Sequence, residues 1–471
     1  MSSISARVLA SLLEAWRDSG VAYAALADRI RLLVVDGRMA TGTRLPAERE
    51  LAAQLGISRT TVTAAYAELR DAGYLQSVRG SGSVVTLPLR PTAPLDLVLP
   101  EFLDFSKATM PAAPEIAAAS LAAAQALPRY LGESGFDPFG LPELRDAIAQ
   151  RYTNRGLPTT ADQVMVTLGA LHGISLIART FVSRGDRAVV ENPTYPHALD
   201  ALRSAGARLV PVSVTTADGW DEGALEQVLQ RTSPSLGYLM PDFHNPTGAS
   251  MSIGLRERVI ALAESQGTTL IADETMAELG FDGDEPRLPF AAHGIAITVG
   301  SVGKTLWGGV RLGWIRADRS VIQRLARARN AGDLGTPILE QLVVLELLRD
   351  FDEILASRRA YLRAGRDRLA ALLADRLPQW QVPQVRGGLT LWVGLGEPVS
   401  SQLAIAARNE GLVIAAGPRF GLDGAFERFI RIPFSLSAEH TINGVDALAT
   451  AWATVGRLPA RVQELEIASV A

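Results

Sequence analysis

The stretch SVGKTLWGGVRLGW (301–314) contains Lys304, and the chain has only one other lysine, Lys107, because all its remaining basic residues are arginine. A guanidinium stays protonated in a protein, whereas a lysine amine can lose its proton and form an imine with an aldehyde. Ser301 and Gly303 are small enough to let a planar ring approach, and a hydroxyl with Arg311 could hold a phosphate. Taken alone, the pattern is also that of a surface lysine in a glycine-rich loop.

Two upstream segments offer polar partners for such a ring. PDFHNPTG (241–248) contains an Asn-Pro turn after a predicted strand, with Asn245 at the turn. IADET (271–275) ends an apolar strand at Asp273, and a carboxylate there points into the crevice where α/β sheets bind ligands. An acid in that place could keep a pyridine nitrogen protonated, as pyridoxal phosphate (PLP) requires to act as an electron sink.

Two further segments could hold the phosphate and the ring face of that cofactor. TLGALHG (167–173) offers Gly169 and the backbone N–H groups of Ala170 and Leu171 at the start of a helix, which is an anion-binding arrangement. ENPTYPH (191–197) supplies Tyr195, an aromatic side chain that could stack on the ring. Each segment has an ordinary structural explanation as a turn, a capping aspartate, a loop glycine or a core tyrosine. All five together, in this order, predict a PLP site.

The elements that must position these residues follow an alternating pattern. Apolar runs of strand type alternate with amphipathic helices beyond residue 100, which predicts an α/β fold with a mostly parallel sheet. The six strand candidates are DQVMVTLG, DRAVVEN, ARLVPVSV, LGYLMP, TTLIADE and AITVGS. A smaller C-terminal unit from about residue 336 mixes helices with the strand candidates LTLWVGL and RFIRIPF.

The first part of the chain predicts a different unit. Residues 22–86 read as three short helices followed by a β-hairpin, which is the order of a winged helix-turn-helix. Ser58 is a suitable N-cap for the third helix, and Gly73 suits the position just past its end. Its inward stripe consists of Val62, Tyr66 and Leu69.

The domain boundaries follow from these patterns. We expect a winged helix-turn-helix domain at 1–87, in which 1–20 add an N-terminal helix, and a PLP-binding effector domain at 101–471. Between them, PLRPTAPLDLVLP (88–100) holds four prolines in thirteen residues and is expected to be a semi-rigid linker.

These segments resemble two known families. Residues from about 104 to 460 resemble the fold-type I aspartate aminotransferase family, through GFDPFGLPELRDAIAQRY, NPTG, IADE, SVGKTLWGGVRLGW and RFIRIPFS. Residues 22–86 resemble the GntR winged-helix family, through LPAERELA, LGISRTTV and GY. Fused in this order, the two resemble the MocR-type branch of GntR regulators. The resemblance implies a fold-type I PLP-dependent transferase domain with a smaller C-terminal α+β lobe, preceded by a DNA-binding unit.

The resemblance also implies residue roles. Lys304 would form the internal aldimine with PLP, Asp273 would pair the pyridine nitrogen, and Asn245 would donate to the phenolic oxygen. The phosphate would be held by Gly169, Ala170, Leu171, Ser301 and Arg311, with Tyr195 stacked on the ring. Arg431, in IRIPF, matches the family position that binds a substrate or effector α-carboxylate; it is otherwise a salt-bridged strand arginine.

Three departures from the family pattern bear on activity. The tyrosine that usually follows the aspartate and contacts the phenolic oxygen is absent, because those positions hold Thr275 and Met276. Gly303 replaces a serine before the lysine, and His172 replaces the usual residue at the phosphate cup. The loss of the tyrosine weakens the case for efficient transamination more than the case for cofactor binding.

The predicted DNA contacts lie in the winged unit. Ser58, Arg59, Thr60 and Thr61 lie in the first turn of the third helix, where recognition helices reach base edges, and Arg59 could read a guanine. Arg44 and Arg49 suit backbone phosphates. The wing tip, at Gly80, Ser81 and Gly82 after Arg79, could lie along a minor groove.

Charge and symmetry predict how DNA is bound. Residues 1–88 hold ten arginines against eight acidic residues, a net charge of +2, within a chain of net charge −4. Such a weak charge predicts that two winged units are needed per DNA site. We therefore expect a homodimer that reads two operator half-sites separated by whole helical turns of about 34 Å.

Composition excludes several classes of protein. The absence of cysteine excludes disulfides and sulfur-ligated zinc, and the five histidines lack metal-site spacing, so no metal is expected. Charged residues interrupt the first twenty positions, and no long uncharged apolar run occurs. The sequence therefore predicts a cytoplasmic protein without a membrane partner.

Three functions remain to be compared. The first is a transcription regulator that responds to PLP or to an amine or amino acid condensing with it. The second is a working PLP-dependent aminotransferase, favoured by Lys304, Asp273 and Arg431 and disfavoured by Met276 and by the intact recognition helix. The third is a constitutive DNA-binding repressor with an empty effector fold.

Overall fold

The computed structural model describes residues 3–13, 16, 21–35, 38–39, 42–78, 82–86, 102–283, 287–422 and 424–455. The predicted linker at 88–100, the wing residues 79–81 and the residues from 456 onward lie outside these ranges. The described residues N-terminal to the linker form one hydrophobic core, and those C-terminal to it form a large core and a small cluster of Trp392, Ala415 and Phe420.

The N-terminal part folds as predicted, into helices followed by an antiparallel hairpin. The helices are α1 Ala6–Leu13, α2 Ala22–Val35, α3 Glu48–Leu55 and α4 Arg59–Asp71, and the hairpin strands are β1 Leu75–Val78 and β2 Gly82–Val85. Leu75 pairs with Val85 at the open end of the hairpin. Helix α1 lies in the region predicted to add an N-terminal helix.

Local chemistry fixes the turn between α3 and α4. Gly56 ends α3 in the left-handed conformation, with φ of 63°. The Ser58 side chain accepts a hydrogen bond from the Thr61 backbone N–H at 3.1 Å, which caps α4 as predicted. Gly73 follows α4 with φ of 77°. The predicted stripe of α4 is buried in the N-terminal core.

The C-terminal part is built on an eight-stranded sheet. Its strand order is β4-β11-β10-β9-β8-β5-β6-β7, and the five strands β10, β9, β8, β5 and β6 run parallel. All six predicted strands are present. The strands from residue 102 to 316 are β3 Leu103–Asp104, β4 Val164–Thr167, β5 Arg187–Asn192, β6 Arg208–Thr215, β7 Gly219–Trp220, β8 Leu236–Leu239, β9 Thr269–Asp273, β10 Ile297–Ser301 and β11 Gly313–Arg316.

Helices connect these strands, as an α/β fold requires. They are α5 Ile116–Ala126, α6 Pro142–Asn154, α7 Ala170–Phe181, α8 Pro196–Ser204, α9 Glu222–Thr232, α10 Ile253–Gln266 and α11 Arg319–Arg329. The parallel strands β8, β9 and β10 are almost entirely buried, as expected of a sheet whose faces are both covered. Their carboxyl ends meet at one edge.

A smaller lobe follows, with its own antiparallel sheet in the order β12-β15-β14. Its elements are α12 Ile338–Leu347, α13 Phe351–Arg376, β12 Thr390–Gly394, α14 Ser400–Asn409, β13 Leu412–Val413, β14 Ala415–Ala416, β15 Phe429–Pro433 and α15 Ala438–Thr454. The early strand β3 pairs with β13 of this lobe in parallel. The chain therefore enters the C-terminal part beside the small lobe.

The winged unit contacts the small lobe through α2 and α14. The Arg29 guanidinium, which is 7% exposed, forms an ion pair with Glu427 and donates to Ser401 Oγ at 2.7 Å. Glu427 also accepts from the Ser401 backbone N–H at 2.8 Å. A buried charge thus lies at the contact between the two parts.

Candidate functional site

The carboxyl edge of the large sheet collects most of the predicted cofactor residues. Asp273 ends β9, Ser301 ends β10, and Lys304 lies three residues beyond it. Strand β4 leads through Gly169 into α7. Because the carboxyl ends of parallel strands open into the ligand crevice of α/β sheets, this edge is the place where such a site is expected.

Lys304 lies partly buried in this crevice, and its Nζ donates to the Ala108 carbonyl oxygen at 2.8 Å. The pKa of Lys304 is lowered to about 7, mainly by desolvation and then by the positive charge of Arg431, while the negative charge of Asp273 opposes this change. The amine is therefore uncharged in a large fraction of molecules at neutral pH. An uncharged amine is the form that attacks an aldehyde.

Asp273 is buried and accepts three hydrogen bonds. Oδ1 accepts from the Thr275 N–H at 3.0 Å and from Thr275 Oγ1 at 2.7 Å, and Oδ2 accepts from Tyr238 Oη at 2.7 Å. Desolvation raises the pKa of Asp273, and these donors oppose that rise. Met276, the other departure noted in the sequence, is buried at 2% exposure.

The anion end of the crevice is formed at the start of α7. Gly169 has φ of 89°, and a Cβ built there would lie 3.6 Å from Arg311 Nη2. The first N–H groups of a helix, here those of Ala170 and Leu171, have no intrahelical partner and favour an anion. Ser301 Oγ donates to the Leu312 carbonyl oxygen at 3.0 Å and accepts from the Gly303 N–H at 3.0 Å.

His172 stabilises the segment around Gly169 that leads into α7. Its Nδ1 accepts from the Leu168 N–H at 3.1 Å, and its Nε2 lies 2.9 Å from Asp333 Oδ2. Because Nδ1 accepts from a backbone donor, Nε2 carries the proton. The desolvated ring has a lowered pKa, which keeps it neutral. His172 thus fixes the shape of the loop around Gly169.

Arg431 and Asn245 lie at the other end of the crevice. Arg431, fully buried on β15, donates to the Ser106 carbonyl oxygen, and its Nη1 lies 3.4 Å from Asn245 Oδ1. The guanidinium packs over the Phe420 ring at 4.9 Å. Burial lowers the pKa of Arg431 to about 10, and its Nε has no hydrogen-bond partner among the described residues. The ion-pair explanation is not supported, since no described carboxylate forms a salt bridge with Arg431.

Tyr195 lies at the N-terminus of α8, where the charges of Asp273 and Arg431 affect the pKa of its hydroxyl. Desolvation raises the pKa of Tyr195 to about 12, with a further contribution from the negative charge of Asp273. Its ring contacts His197 edge-on at 5.3 Å between centroids. The hydroxyl therefore stays protonated at neutral pH.

Sequence reasoning missed two supports of this site. One is Tyr238, whose contact with Asp273 depends on strand register. The other is buried His244, whose Nδ1 lies 2.9 Å from Thr247 Oγ1 and whose Nε2 lies 3.2 Å from Glu191 Oε2. The contact with Thr247 anchors the turn that carries Asn245, whereas Nε2 has no hydrogen-bond partner among the described residues. For Tyr238 the usable signal was a polar hydroxyl within an otherwise apolar strand.

The crevice fits PLP by the chemistry of its residues. It offers helix N–H groups and Arg311 for a phosphate, a buried carboxylate for a pyridine nitrogen, and a neutral lysine amine for an aldehyde. The incompletely bonded guanidinium of Arg431 suits a carboxylate. A Cβ at Gly313 would lie 2.7 Å from the Gly300 carbonyl oxygen and 2.9 Å from the Ala170 nitrogen, so the strand closes tightly beneath the phosphate end.

The predicted DNA-binding residues form an exposed surface on the winged unit. Arg44, Arg49, Ser58, Arg59 and Thr60 are exposed, and Thr61 is partly buried. The Arg59 side chain is 70% exposed, with Nε 3.8 Å from Glu48 Oε2. Gly82 begins β2 beside the Arg44 side chain, and the wing residues Gly80 and Ser81 lie outside the described residues.

Within the described ranges, no group of three or more histidine, aspartate or glutamate side chains could hold a metal ion. No helix in the same ranges is both long and apolar enough to cross a bilayer.

Comparison with known proteins agrees with this architecture. Residues 104–450 match the family model for aminotransferase class I and II, and residues 22–85 match that for bacterial regulatory proteins of the gntR family. The chain is 29% identical over 441 residues to the uncharacterised HTH-type transcriptional regulator YdcR of Escherichia coli, covering 87% of this chain and 94% of YdcR. It is 30% identical over 346 residues to 2-aminoadipate transaminase of Thermus thermophilus, covering 70% of this chain and 85% of the enzyme.

A solved structure shows the same likeness. The chain resembles LysN, the α-aminoadipate aminotransferase of Thermus thermophilus complexed with N-(5'-phosphopyridoxyl)-L-leucine, with a TM-score of 0.68 and 28% identity. The match covers 74% of this chain and 92% of LysN. Fold and crevice therefore define a fold-type I aminotransferase domain behind a GntR helix-turn-helix.

The chain belongs to the aminotransferase class I and II family, in the MocR-type arrangement in which a GntR unit precedes that domain, as in transcription regulators. The predicted fold class and family resemblance are confirmed.

Proposed function

We propose that this transcription regulator binds PLP covalently through Lys304 and that PLP, or an amine or amino acid reacting with it, changes its binding to DNA. The observation that carries the proposal is the place of Lys304, just past the end of β10 in a crevice shared with Asp273 and Arg431 and joined to a GntR winged unit, where burial lowers the pKa of its amine to about 7. Outside this setting a lysine amine would be protonated and unreactive at neutral pH.

Each crevice residue has a role in this proposal. Lys304 supplies the nucleophilic amine, and Asp273 holds a proton on the pyridine nitrogen. The first N–H groups of α7 and Arg311 bind the phosphate, and the Ser301 hydroxyl joins them after releasing its hydrogen bond to the Leu312 carbonyl oxygen. Asn245 donates to the phenolic oxygen, and Tyr195 covers the ring. When bound, PLP supplies an electron sink for amine chemistry. Arg431 binds the carboxylate of an amino acid effector.

The DNA-binding part of the proposal rests on the exposed first turn of α4. Arg59 reads a base in the major groove, Arg44 and Arg49 bind phosphates, and the hydroxyls of Ser58, Thr60 and Thr61 contact DNA after releasing their mutual hydrogen bonds. The wing, with Gly80, Ser81 and Gly82, approaches a minor groove. Domain boundaries at 87 and 101 follow the predicted linker.

A homodimer would supply the second winged unit. Exposed apolar residues support this proposal, because Phe136, Leu334 and Leu339 are 68%, 51% and 40% exposed. Their segments adjoin, since a Cβ at Gly135 would lie 3.9 Å from the Ile338 side chain. A surface of this kind is typical of a protein–protein interface. Operator DNA would then carry two half-sites.

Chemical trapping tests the cofactor part of the proposal. Protein incubated with PLP and reduced with borohydride should carry a pyridoxyl group on Lys304. The chain offers a matched control, because Lys107 is the only other lysine and lies 3.0 Å from Asp104 with its side chain 48% exposed. Peptide mass mapping that finds Lys304 unmodified, or Lys107 modified equally, would refute covalent binding at this site.

A second candidate function is a working aminotransferase. It is favoured by the 30% identity to 2-aminoadipate transaminase and by the unfilled bonding capacity of Arg431. It is disfavoured by Thr275, which bonds to Asp273, and by buried Met276, since neither replaces a phenolic donor. Steady multiple turnover with an amino donor and a keto acid would favour this candidate. A single turnover that stops would favour the regulator.

A further inference from the structure

Tyr238 is a fully buried tyrosine that contacts the carboxylate proposed to pair the cofactor. It lies on β8, where it pairs with Ile271 of the parallel neighbour β9. Asp273 is two residues beyond Ile271, so both side chains project from the same face of the sheet. Tyr238 Oη lies 2.7 Å from Asp273 Oδ2.

The proton of this hydrogen bond belongs to Tyr238. Burial and the adjacent negative charge of Asp273 raise the pKa of Tyr238 well above its ordinary value. The hydroxyl is therefore the donor, and the carboxylate oxygen is the acceptor. Hydrogen bonds to an ionised acceptor are among the stronger ones in proteins.

The two carboxylate oxygens of Asp273 differ in how many further hydrogen bonds they can accept. Each carboxylate oxygen has about two acceptor positions. Oδ1 accepts two hydrogen bonds, both from Thr275, whereas Oδ2 accepts only the one from Tyr238 among the described residues. Oδ2 is consequently the oxygen with a remaining position for a ligand N–H.

We infer that Tyr238 is a positioning residue that holds Asp273 ionised and leaves Oδ2 directed at the pyridine nitrogen of PLP. This inference rests on the proposed binding of PLP. A buried carboxylate competes with the ring nitrogen for one proton, and each donor to the carboxylate stabilises its anionic form. Tyr238 therefore keeps the proton on the nitrogen, where the positive charge makes the ring an effective electron sink.

The local sequence of this chain supports the positioning role of Tyr238. Thr275 and Met276 stand where related enzymes carry a tyrosine toward the phenolic oxygen, and Thr275 is turned onto Asp273 instead. Control over the ring is thus concentrated at the nitrogen end, through Asp273 and its donors. Glu191 adds a negative charge near Asp273, which makes those donors more necessary.

The test compares Tyr238→Phe with Tyr152→Phe in the full chain. Both residues are buried tyrosines of the large domain, but the Tyr152 hydroxyl lies 3.1 Å from Trp314 Nε1 and forms no hydrogen bond with Asp273. PLP affinity would be measured by tryptophan fluorescence, and the visible absorbance of bound PLP would be followed against pH. Thermal unfolding of each variant would report stability.

Tyr238→Phe is expected to weaken PLP affinity by at least about ten-fold, as the loss of a hydrogen bond to a charged group predicts. The pH midpoint of the visible absorbance should rise, because the ring loses positive charge and the nitrogen joined to Lys304 becomes more basic. Tyr152→Phe should lower stability without moving the midpoint.

An unchanged affinity and midpoint in Tyr238→Phe would overturn the inference and leave Tyr238 as a core residue. If Tyr238→Phe does not fold, NMR of ¹⁵N-labelled PLP bound to the parent protein tests the inference. An unprotonated ring nitrogen at neutral pH would contradict the proposed role of Tyr238. A parent protein that leaves the absorbance spectrum of added PLP unchanged would instead refute the proposed function.

Discussion

At the scale of single residues, the chemistry depends on how burial changes ordinary side chains. Lys304, Asp273 and Arg431 lie within one crevice. Desolvation raises the pKa of Asp273 and lowers the pKa of Lys304 and of Arg431, so it favours the neutral form of each. The two cations also repel each other, which lowers the pKa of Lys304 further. Anionic groups of a ligand would relieve that repulsion, so the crevice is suited to a phosphate and a carboxylate.

The lowered pKa of Lys304 predicts how fast PLP is captured at different pH values. The lysine reacts only when neutral, so the rate should rise about ten-fold per pH unit below pH 7 and level off above it. An ordinary lysine, with a pKa of 10.5, would keep gaining rate to pH 10. Stopped-flow absorbance of the apoprotein, with N-acetyl-lysine methyl amide as control, measures this. A protein profile that follows the free amine would contradict the lowered pKa.

The rarity of lysine made Lys304 predictable from sequence, and the end of an apolar strand made Asp273 predictable. The role of Tyr238 was not predictable, because its contact with Asp273 depends on how β8 pairs with β9. The sequence of neither strand determines the register of that parallel pair. His172 was recognised only as a departure. Its bracing role depends on Asp333, which is distant in sequence.

At the scale of elements, apolar runs predicted the six strands that lead to the crevice. Strand β11 was missed because Gly313–Arg316 lies within a glycine-rich segment that reads as a loop. Its glycine is required by contact, since a Cβ at Gly313 would meet the backbone of β10 and of the start of α7. Such a close approach depends on tertiary packing, which the β-strand propensity of the local sequence does not predict.

Helix α4 carries the prediction for DNA recognition. Its cap and stripe are determined locally, by Ser58 and by helical spacing, and both were predicted. Arg59→Ala should cost about 1–3 kcal/mol on the preferred DNA sequence and relax base preference at one position. Its ion pair with Glu48 is exposed and long, so little stability is lost with it.

Arg49→Ala is the matched control for Arg59→Ala. It should weaken binding to all sequences alike and reduce the salt dependence, as expected of a phosphate contact. Both variants would be titrated against a duplex selected by the protein from a random pool and against a scrambled duplex. Equal losses on both duplexes for Arg59→Ala would make Arg59 a phosphate contact as well.

At the scale of the whole molecule, the winged unit meets the small lobe through a buried ion pair. The sequence predicted only a proline-rich linker between the parts, because the contact joins Arg29 and Glu427 across most of the chain. Ser400, next to Ser401, accepts from the Gly417 N–H at 2.9 Å, and Phe420 of the same short turn packs on Arg431. The contact with the winged unit is therefore structurally continuous with the crevice.

Glu427→Gln should loosen the winged unit, because it removes the negative charge that faces the buried Arg29 guanidinium, and breaking a buried ion pair costs about 3–5 kcal/mol. The chain has no cysteine, so spin labels can be placed cleanly at Gln54→Cys and Asn409→Cys. The distance distribution between the labels should be narrow in the parent and broad in Glu427→Gln. Glu410→Gln, at the exposed end of α14, is the control and should stay narrow. Equal widths in all three proteins would show that the ion pair does not hold the winged unit.

The most direct test of the account measures DNA affinity with and without PLP, in the parent protein and in Lys304→Ala, on the selected duplex. A ligand shifts an equilibrium only if it favours one state, so a regulator that acts through Lys304 must show different affinities in the parent. We expect DNA affinity to change several-fold or more with PLP in the parent and not at all in Lys304→Ala. Equal affinity under all four conditions, or the same response in both proteins, would contradict it.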